Sequence, residues 1–381
     1  MSEGMPRLAV IGIHGYGAAH LRAAQERRDT VELVGVCDTA PDDSGRIDPS
    51  VPQFTEVAEL LARTRPELVT IATPIHTHLP FAEAALRAGA DVLLEKPPVA
   101  TMAQFDQLLG VTEETGRVLQ VGFQSLGSAA FAALDSMIDS GRLGELVGIS
   151  GVGLWVRTFG YWQRSGWAGC RTIDGVPVMD GVVTNPLAHA TSAALRLGRA
   201  ERAEDLVEVE VDLFRANAIE SDDTSVVRVI TDAGVKITLG LTLCAEESKE
   251  APYVEVVGTE QTARFFYTQD LVELRPAGEL EAEPTERLDY QRVSLLDNLL
   301  AHRRDGAELL CPLINTGAFM RVVDAVAATE PLQIAVDELR LLGADAESRL
   351  AIPGVADWVR RAAYEHRTFT DLGAPFATSA S

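Results

Sequence analysis

Gly12, Gly15 and Gly17 fall within six residues of one another directly after the apolar run RLAVIGI, and Asp38 closes the next apolar run, VELVGVCD. A glycine-rich strand-to-helix turn lets backbone approach a pyrophosphate and lets helix N–H groups point at it. His14 stands where a G-x-G-x-x-G fingerprint has its second glycine, with Gly15 displaced by one and Tyr16 following, so the segment also suits a plain tight turn. Asp38 lies about 20 residues beyond the glycines, where a carboxylate accepts hydrogen bonds from ribose hydroxyls and repels a 2′-phosphate. That favours NAD over NADP, although a loop-capping aspartate fits the same position. Two further apolar runs end in Thr73-Pro74-Ile75-His76-Thr77-His78 and in Glu95-Lys96-Pro97-Pro98. An ammonium at a strand end can polarise a carbonyl oxygen or stabilise a developing alkoxide, and its pKa moves readily on desolvation. Pro97 pushes Lys96 toward extended backbone. The His76/His78 pair has no accompanying set of Cys or carboxylate ligands, so no metal site is expected.

The elements that must position these groups alternate in the first 125 residues between short β-branched runs and helical patterns. RLAVIGI, VELVGVCD, ELVTIATP, DVLLEKP and RVLQVGF read as strands. Helices are expected at Gly15–Arg28, near Thr55–Thr64, and around His78–Ala88 and Met102–Thr115. This is the pattern of a doubly wound parallel sheet, whose ligands lie at the carboxyl ends of the strands. From about Leu146 the runs LVGISGVGLWV, LVEVEVDLFRA, TSVVRVITD, VKITLGLTLC and YVEVVGT follow one another at close spacing, which predicts a large open, mostly antiparallel sheet. Helices are expected beside it at Pro186–Leu197 and Pro312–Thr329, each with proline in its first turn. The division predicted is an N-terminal dinucleotide-binding domain over 1–125 and a C-terminal α/β domain over 126–381.

The stretch LWVRTFGYWQRSGWAGCR gathers Trp155, Tyr161, Trp162 and Trp167 with Arg157, Arg164 and Arg171. Aromatic faces stack on the apolar faces of sugar rings and arginine forks bind hydroxyls or carboxylates, so Trp162, Arg164 and Trp167 are candidate substrate contacts. An aromatic hinge that packs two domains is compatible with the same residues.

The E-K-P tripeptide, the A-T-P-x-x-x-H segment and the displaced glycine turn together resemble the Gfo/Idh/MocA oxidoreductases, over nearly the whole chain. The resemblance implies a Rossmann domain, a C-terminal domain with an open sheet, and a homodimer or homotetramer built through that sheet. It implies a cis peptide before Pro97 and a role for Lys96 at both the nicotinamide and the substrate hydroxyl. Thr73, Pro74, His78, Glu95 and Gln124 take cofactor-side positions, alongside Gly12, His14, Gly15, Tyr16, Gly17 and Asp38. The family's D-x-x-x-H pair, aligned through Gly198, falls on Asn185 and His189. His189 then serves as general base with a pKa suited to neutral pH, or as a structural histidine, and Asn185 positions by hydrogen bonds alone. Asp180 is a nearby carboxylate off the helix register. His20 is expected to be structural, and Asn217, Asp222, Asp223 and Thr224 to be loop residues.

Thirty-three Lys+Arg against 56 Asp+Glu give a formal charge of −23 over 381 residues, of which 46% are hydrophobic. Such acidity, with no basic run to relieve it, argues against nucleic-acid and membrane partners. The start MSEGMPRLAV predicts no secretory leader, and Cys37, Cys170, Cys244 and Cys311 are too scattered for a disulfide or zinc framework, so a cytoplasmic location is expected. The expectation is therefore an NAD-dependent oxidoreductase acting on a secondary hydroxyl of a sugar, inositol or related polyol, or reducing the ketone. The alternatives are redox-neutral epimerisation or elimination with borrowed hydride, and a non-catalytic nucleotide sensor.

Overall fold

A computed structural model describes residues 4–247, 250–279 and 282–380. The chain forms two compact units, Met1–Phe123 with Ser294–Ile314, and Gln124–Val293 with Asn315–Ser381.

In the first unit, strands β1 (Arg7–Ile11), β2 (Glu32–Cys37), β3 (Gln53–Phe54), β4 (Leu68–Ile71), β5 (Asp91–Leu94) and β6 (Leu119–Val121) form one sheet in the order β3-β2-β1-β4-β5-β6. Every pairing is parallel. Helices α1 (Gly17–Glu26), α2 (Val57–Thr64), α3 (His78–Arg87) and α4 (Met102–Thr115) supply the crossovers. A parallel sheet is covered on both faces, which explains why β1, β4 and β5 are near-continuous apolar runs with Leu8, Val10, Leu68 and Leu94 fully buried. Strand order reverses between β1 and β4, and the crevice beyond their carboxyl ends is where such sheets take ligands. The two-residue strand β3, inside the proline-rich loop, is an edge addition that its sequence does not announce.

The division differs from a break at 125. Helix Leu295–Asp305 belongs to the first unit, where Leu295, Leu296 and Leu299 pack with Leu8, Val10 and Leu21. Arg303 pairs with Glu67 and Asp91, and Arg27 with Asp297 at 2.6 Å. Amphipathic spacing marks an apolar helix face, but it does not say which sheet that face will cover.

The second unit is built on a nine-stranded sheet with β7 (Leu146–Leu154) at its centre. Strand Tyr253–Gly258 pairs antiparallel on one side of β7, and Lys236–Thr242 pairs parallel on the other. The sheet is antiparallel except for that pairing and the one between Leu206–Arg215 and Leu332–Gln333. The helix expected from Pro186 starts at Ala188, because Gly181–Leu187 forms a sequence of turns first. The helix expected from Pro312 is Gly317–Ala328, preceded by a 3-10 turn at Leu313–Thr316, and Pro312 itself bridges to Gln120. No disulfide joins any of the four cysteines, and Cys37, Cys244 and Cys311 are buried. Among the described residues no helix is long and apolar enough to cross a membrane.

Candidate active site

In the first unit, each glycine of the turn after β1 has its own reason to be glycine. Gly12 has φ +83°, and a Cβ there would lie 2.4 Å from the Ala72 carbonyl oxygen. A Cβ on Gly17 would lie 2.2 Å from the Gly12 carbonyl oxygen, so α1 can start only if residue 17 has no side chain. Gly15 has φ +53° and nothing within 4 Å of its Cβ position. Two glycines thus close the turn against β4, and the third leaves backbone bare on its open side. This division of roles follows the dinucleotide fingerprint despite the irregular spacing. The half-buried Asp38 carboxylate accepts from Ile13 N at 2.9 Å through one oxygen and from Ala40 N at 3.3 Å through the other. It therefore caps this turn, and its part-exposed oxygens keep lone pairs suited to ribose hydroxyls. His14 Nε2 meets the Ala40 carbonyl at 3.0 Å, and the exposed Tyr16 stands edge-on to His20. The open side of Gly15 and the Asp38 carboxylate fit a dinucleotide.

At the ends of β4 and β5, Thr77 Oγ1 donates to Thr73 Oγ1 at 2.7 Å beside the exposed Pro74. Lys96 is half-buried and joined to Pro97 by a cis peptide bond, as the family resemblance implies. His78 is 2% exposed, with Nδ1 2.9 Å from the Pro97 carbonyl and Nε2 2.8 Å from the Thr73 carbonyl. Burial lowers its pKa, against the pull of those carbonyls. Set between the Pro97 and Thr73 carbonyls, to one of which its neutral ring donates, His78 braces the two strand ends. Glu95 is buried as well, its Oε1 meets His20 Nε2 at 2.8 Å, and its Oε2 accepts from Lys96 N at 3.2 Å. His20 is structural, as its place in the first helix suggests.

In the second unit, Asn185 and His189 do not share a helix face. Asn185 lies in the turns before the helix and His189 in its first turn, with Nδ1 3.3 Å from Ser125 Oγ. Gln124 opens the 3-10 turn that carries Ser125. Asp180, only 3% exposed, joins several of these side chains within the second unit. Its Oδ1 accepts from Asn185 Nδ2 at 2.6 Å, and its Oδ2 from Arg164 at 3.0 Å and Gly169 N at 2.8 Å. The Arg164 guanidinium lies over Tyr161 at 3.8 Å and Trp167 at 4.6 Å, and Tyr161 meets Trp162 edge to face. Burial, then the Asp180 charge, raise the Tyr161 pKa. The arginines are less available than their clustering suggests. Arg171 donates to the carbonyls of Val326, Ala327 and Thr329 at the end of helix Gly317–Ala328, and Arg157 lies over Trp155 and Tyr161. Asp222 and Asp223, expected in a loop, are buried: Asp223 accepts from Ala216 N, Asn217 N and Asn217 Nδ2, and Asp222 accepts from Ser225 Oγ at 2.8 Å. Asp180 and Ser125 are the residues that sequence reasoning did not place, because neither keeps helical spacing to its partner. Among the described residues no group of three or more His, Cys, Asp or Glu could hold a metal ion.

Residues 6–123 match the family described as the oxidoreductase family with an NAD-binding Rossmann fold. An uncharacterized oxidoreductase, YdgJ, of Escherichia coli is 30% identical over 141 residues, 37% of this chain and 40% of that protein. An inositol 2-dehydrogenase of Salmonella typhimurium is 28% identical over 153 residues, 38% of this chain and 45% of that protein. The matched region thus spans less than half the length of these relatives. Among solved structures, the WlbA dehydrogenase of Bordetella pertussis, in complex with NADH and UDP-GlcNAcA, aligns with a TM-score of 0.69 at 20% identity, covering 87% of this chain and all of that one. The aldose-aldose oxidoreductase of Caulobacter crescentus, complexed with glycerol, aligns with a TM-score of 0.66 at 17% identity, covering 85% and 97%. These likenesses are of fold.

Proposed function

We propose that this chain, a member of the Gfo/Idh/MocA oxidoreductase family through residues 6–123, is an NAD-dependent dehydrogenase acting on a secondary hydroxyl of a sugar, inositol or related polyol. The observation that carries the reading is a glycine turn with a bare side at Gly15, on the same strand-end rim of one parallel sheet as Lys96. Gly12, Gly15 and Gly17 hold the pyrophosphate, and Asp38 takes the adenosine ribose and disfavours a 2′-phosphate. NAD⁺, when bound, supplies the hydride acceptor. Lys96 hydrogen-bonds the reacting oxygen and stabilises negative charge on it as the proton leaves. His78 and the His20–Glu95 pair hold the backbone that carries Lys96. His189, whose Nδ1 lies 3.3 Å from Ser125 Oγ, takes the hydroxyl proton as general base. Trp162 and Trp167 offer ring faces to the sugar, and Arg164 and Asn185 offer polar edges. The similarity to an inositol 2-dehydrogenase supports the substrate class.

The test is the absorbance of reduced nicotinamide when the purified protein meets NAD⁺ and myo-inositol, D-glucose, D-glucuronate or UDP-N-acetylglucosaminuronate. A rise with any of them that is lost in Lys96→Met, with NAD affinity kept within a few-fold, supports the proposal. Unchanged turnover in Lys96→Met removes Lys96 from it. Tightly retained nucleotide without net reduction points instead to hydride-borrowing chemistry.

A further inference from the structure

Side chains alternate between the two faces of a strand, so the large sheet of the second unit has two sides to cover. One is taken by helix Ala188–Leu197 and the turns before it: a Cβ on Gly153 of β7 would meet Leu187 Cδ1 at 2.4 Å, and one on Gly198 would meet Ile237 Cδ1 at 2.5 Å. The other side carries Val152 and Leu154 of β7 with Phe214, Val226 and Tyr253, and all five are buried. A face this apolar, left bare, is a patch that takes a second copy. The chain's own C-terminal segment lies on it. Helix Val355–Glu365 turns Val355, Val359, Ala362 and Ala363 inward, at the spacing i, i+4, i+7, i+8, into one apolar cluster with those five residues. The short helices Phe369–Leu372 and Pro375–Thr378 add Phe369 and Phe376, whose rings meet Phe214 at 6.2 and 5.7 Å. Two glycines mark the seat. A Cβ on Gly240 would stand 2.4 Å from the Val359 carbonyl oxygen, and one on Gly148 2.7 Å from His366 Nε2, so the sheet offers bare backbone where the helix and its C-cap rest. Polar groups fasten the same segment: Asp212 accepts from Thr370 N at 3.0 Å and from Thr370 Oγ1 at 3.1 Å, His366 Nδ1 lies 3.0 Å from Thr238 Oγ1, and Arg360 pairs with Glu250 at 2.6 Å. The outward side of the helix carries Asp357, Arg361 and Glu365, all exposed.

We propose that residues 355–378 are a built-in occupant of this sheet face, holding in cis the place that a second copy of the chain would take, so that self-association does not run through it. The inference rests on this packing and not on the dehydrogenase reading. It departs from the oligomer built through the sheet that the family resemblance implies.

A face closed by the chain's own segment is protected at every protein concentration, whereas a face closed by a second copy is protected only where copies meet. Hydrogen exchange of the full-length chain at about 1 and about 50 μM, with sedimentation velocity at the same concentrations, tells the two apart. The expected result is that amides of β7, of strand Lys236–Thr242 and of helix Val355–Glu365 are protected alike at both concentrations, whatever mass sedimentation gives. Protection of these amides that grows with concentration, or a helix Val355–Glu365 that exchanges as fast as an unstructured peptide, overturns the proposal. Gly240→Leu then dislodges the segment from its seat. Its helix amides are expected to exchange at least about tenfold faster than in the wild type, and its mass to rise with concentration as the bared face takes a second copy. Helix amides as slow as in the wild type, or a loosened helix with no rise in mass, also overturn the proposal. If Gly240→Leu does not fold, the wild-type exchange at the two concentrations decides alone.

Discussion

A methyl group placed on Gly15 and one placed on Gly17 separate the ligand cradle from the fold beneath it. At Gly15 the new carbon meets nothing within 4 Å, so the folded chain bears only a non-glycine residue at φ +53°. That costs about 1–2 kcal/mol and lowers the melting temperature by roughly 5 °C. At Gly17 the carbon would stand 2.2 Å from the Gly12 carbonyl oxygen and 2.7 Å from its carbon. Backbone cannot yield there as a flexible side chain would, so α1 must shift off β1, at a cost of about 3 kcal/mol or more. Gly15→Ala is therefore expected to stay folded while losing more than tenfold in NADH affinity, since its methyl occupies the space a pyrophosphate needs. Gly17→Ala is expected to lose affinity and stability together. Thermal melting and fluorescence titration with NADH, on both variants and the wild type, give the two numbers. Gly15→Ala binding NADH within twofold of the wild type refutes the placement of the pyrophosphate, and Gly17→Ala melting above Gly15→Ala refutes the steric argument.

Two further outcomes concern buried titratable groups. Burial pushes the Asp222 carboxyl up to about 6, so between pH 3.8 and 6 the folded chain holds a proton that the unfolded chain releases. Its contribution to stability falls as pH rises through 6. The melting temperature of Asp222→Asn, relative to wild type, should therefore become more favourable from about pH 5 to pH 8, and a difference that does not change with pH contradicts the assignment. His78→Phe removes the one ring N–H that a neutral imidazole gives to the Thr73 or Pro97 carbonyl and should cost about 1–3 kcal/mol in thermal melting. His78→Gln, which keeps one donor, should cost less, and equal losses mean that the brace is packing alone.

What was legible in the sequence is local. The β-branched runs of β1, β2, β4 and β5 and the glycine turn are set by a residue's neighbours in the chain, so the parallel sheet and its ligand rim could be read directly. The assignment of helix Leu295–Asp305 to the first unit could not, because its leucines match any apolar sheet face equally well. The site shows the same divide. Lys96 follows from its place at a strand end, whereas Asp180 reaches Asn185 through turns that break helical spacing, and Arg164 through a loop. His78 and Glu95 are buried against backbone and His20, partners that their place in a motif does not announce. The three arginines beside the tryptophans looked like anion ligands until Arg171 proved to cap a helix and Arg164 to pair with Asp180.

Fluorescence titration of the full chain with NADH and NADPH tests the central claim most directly. Saturable NADH binding, at least tenfold tighter than NADPH, is the predicted result. Equal binding means that Asp38 serves Ile13 and Ala40 alone and does not read the ribose, and no saturable binding of either nucleotide contradicts the account.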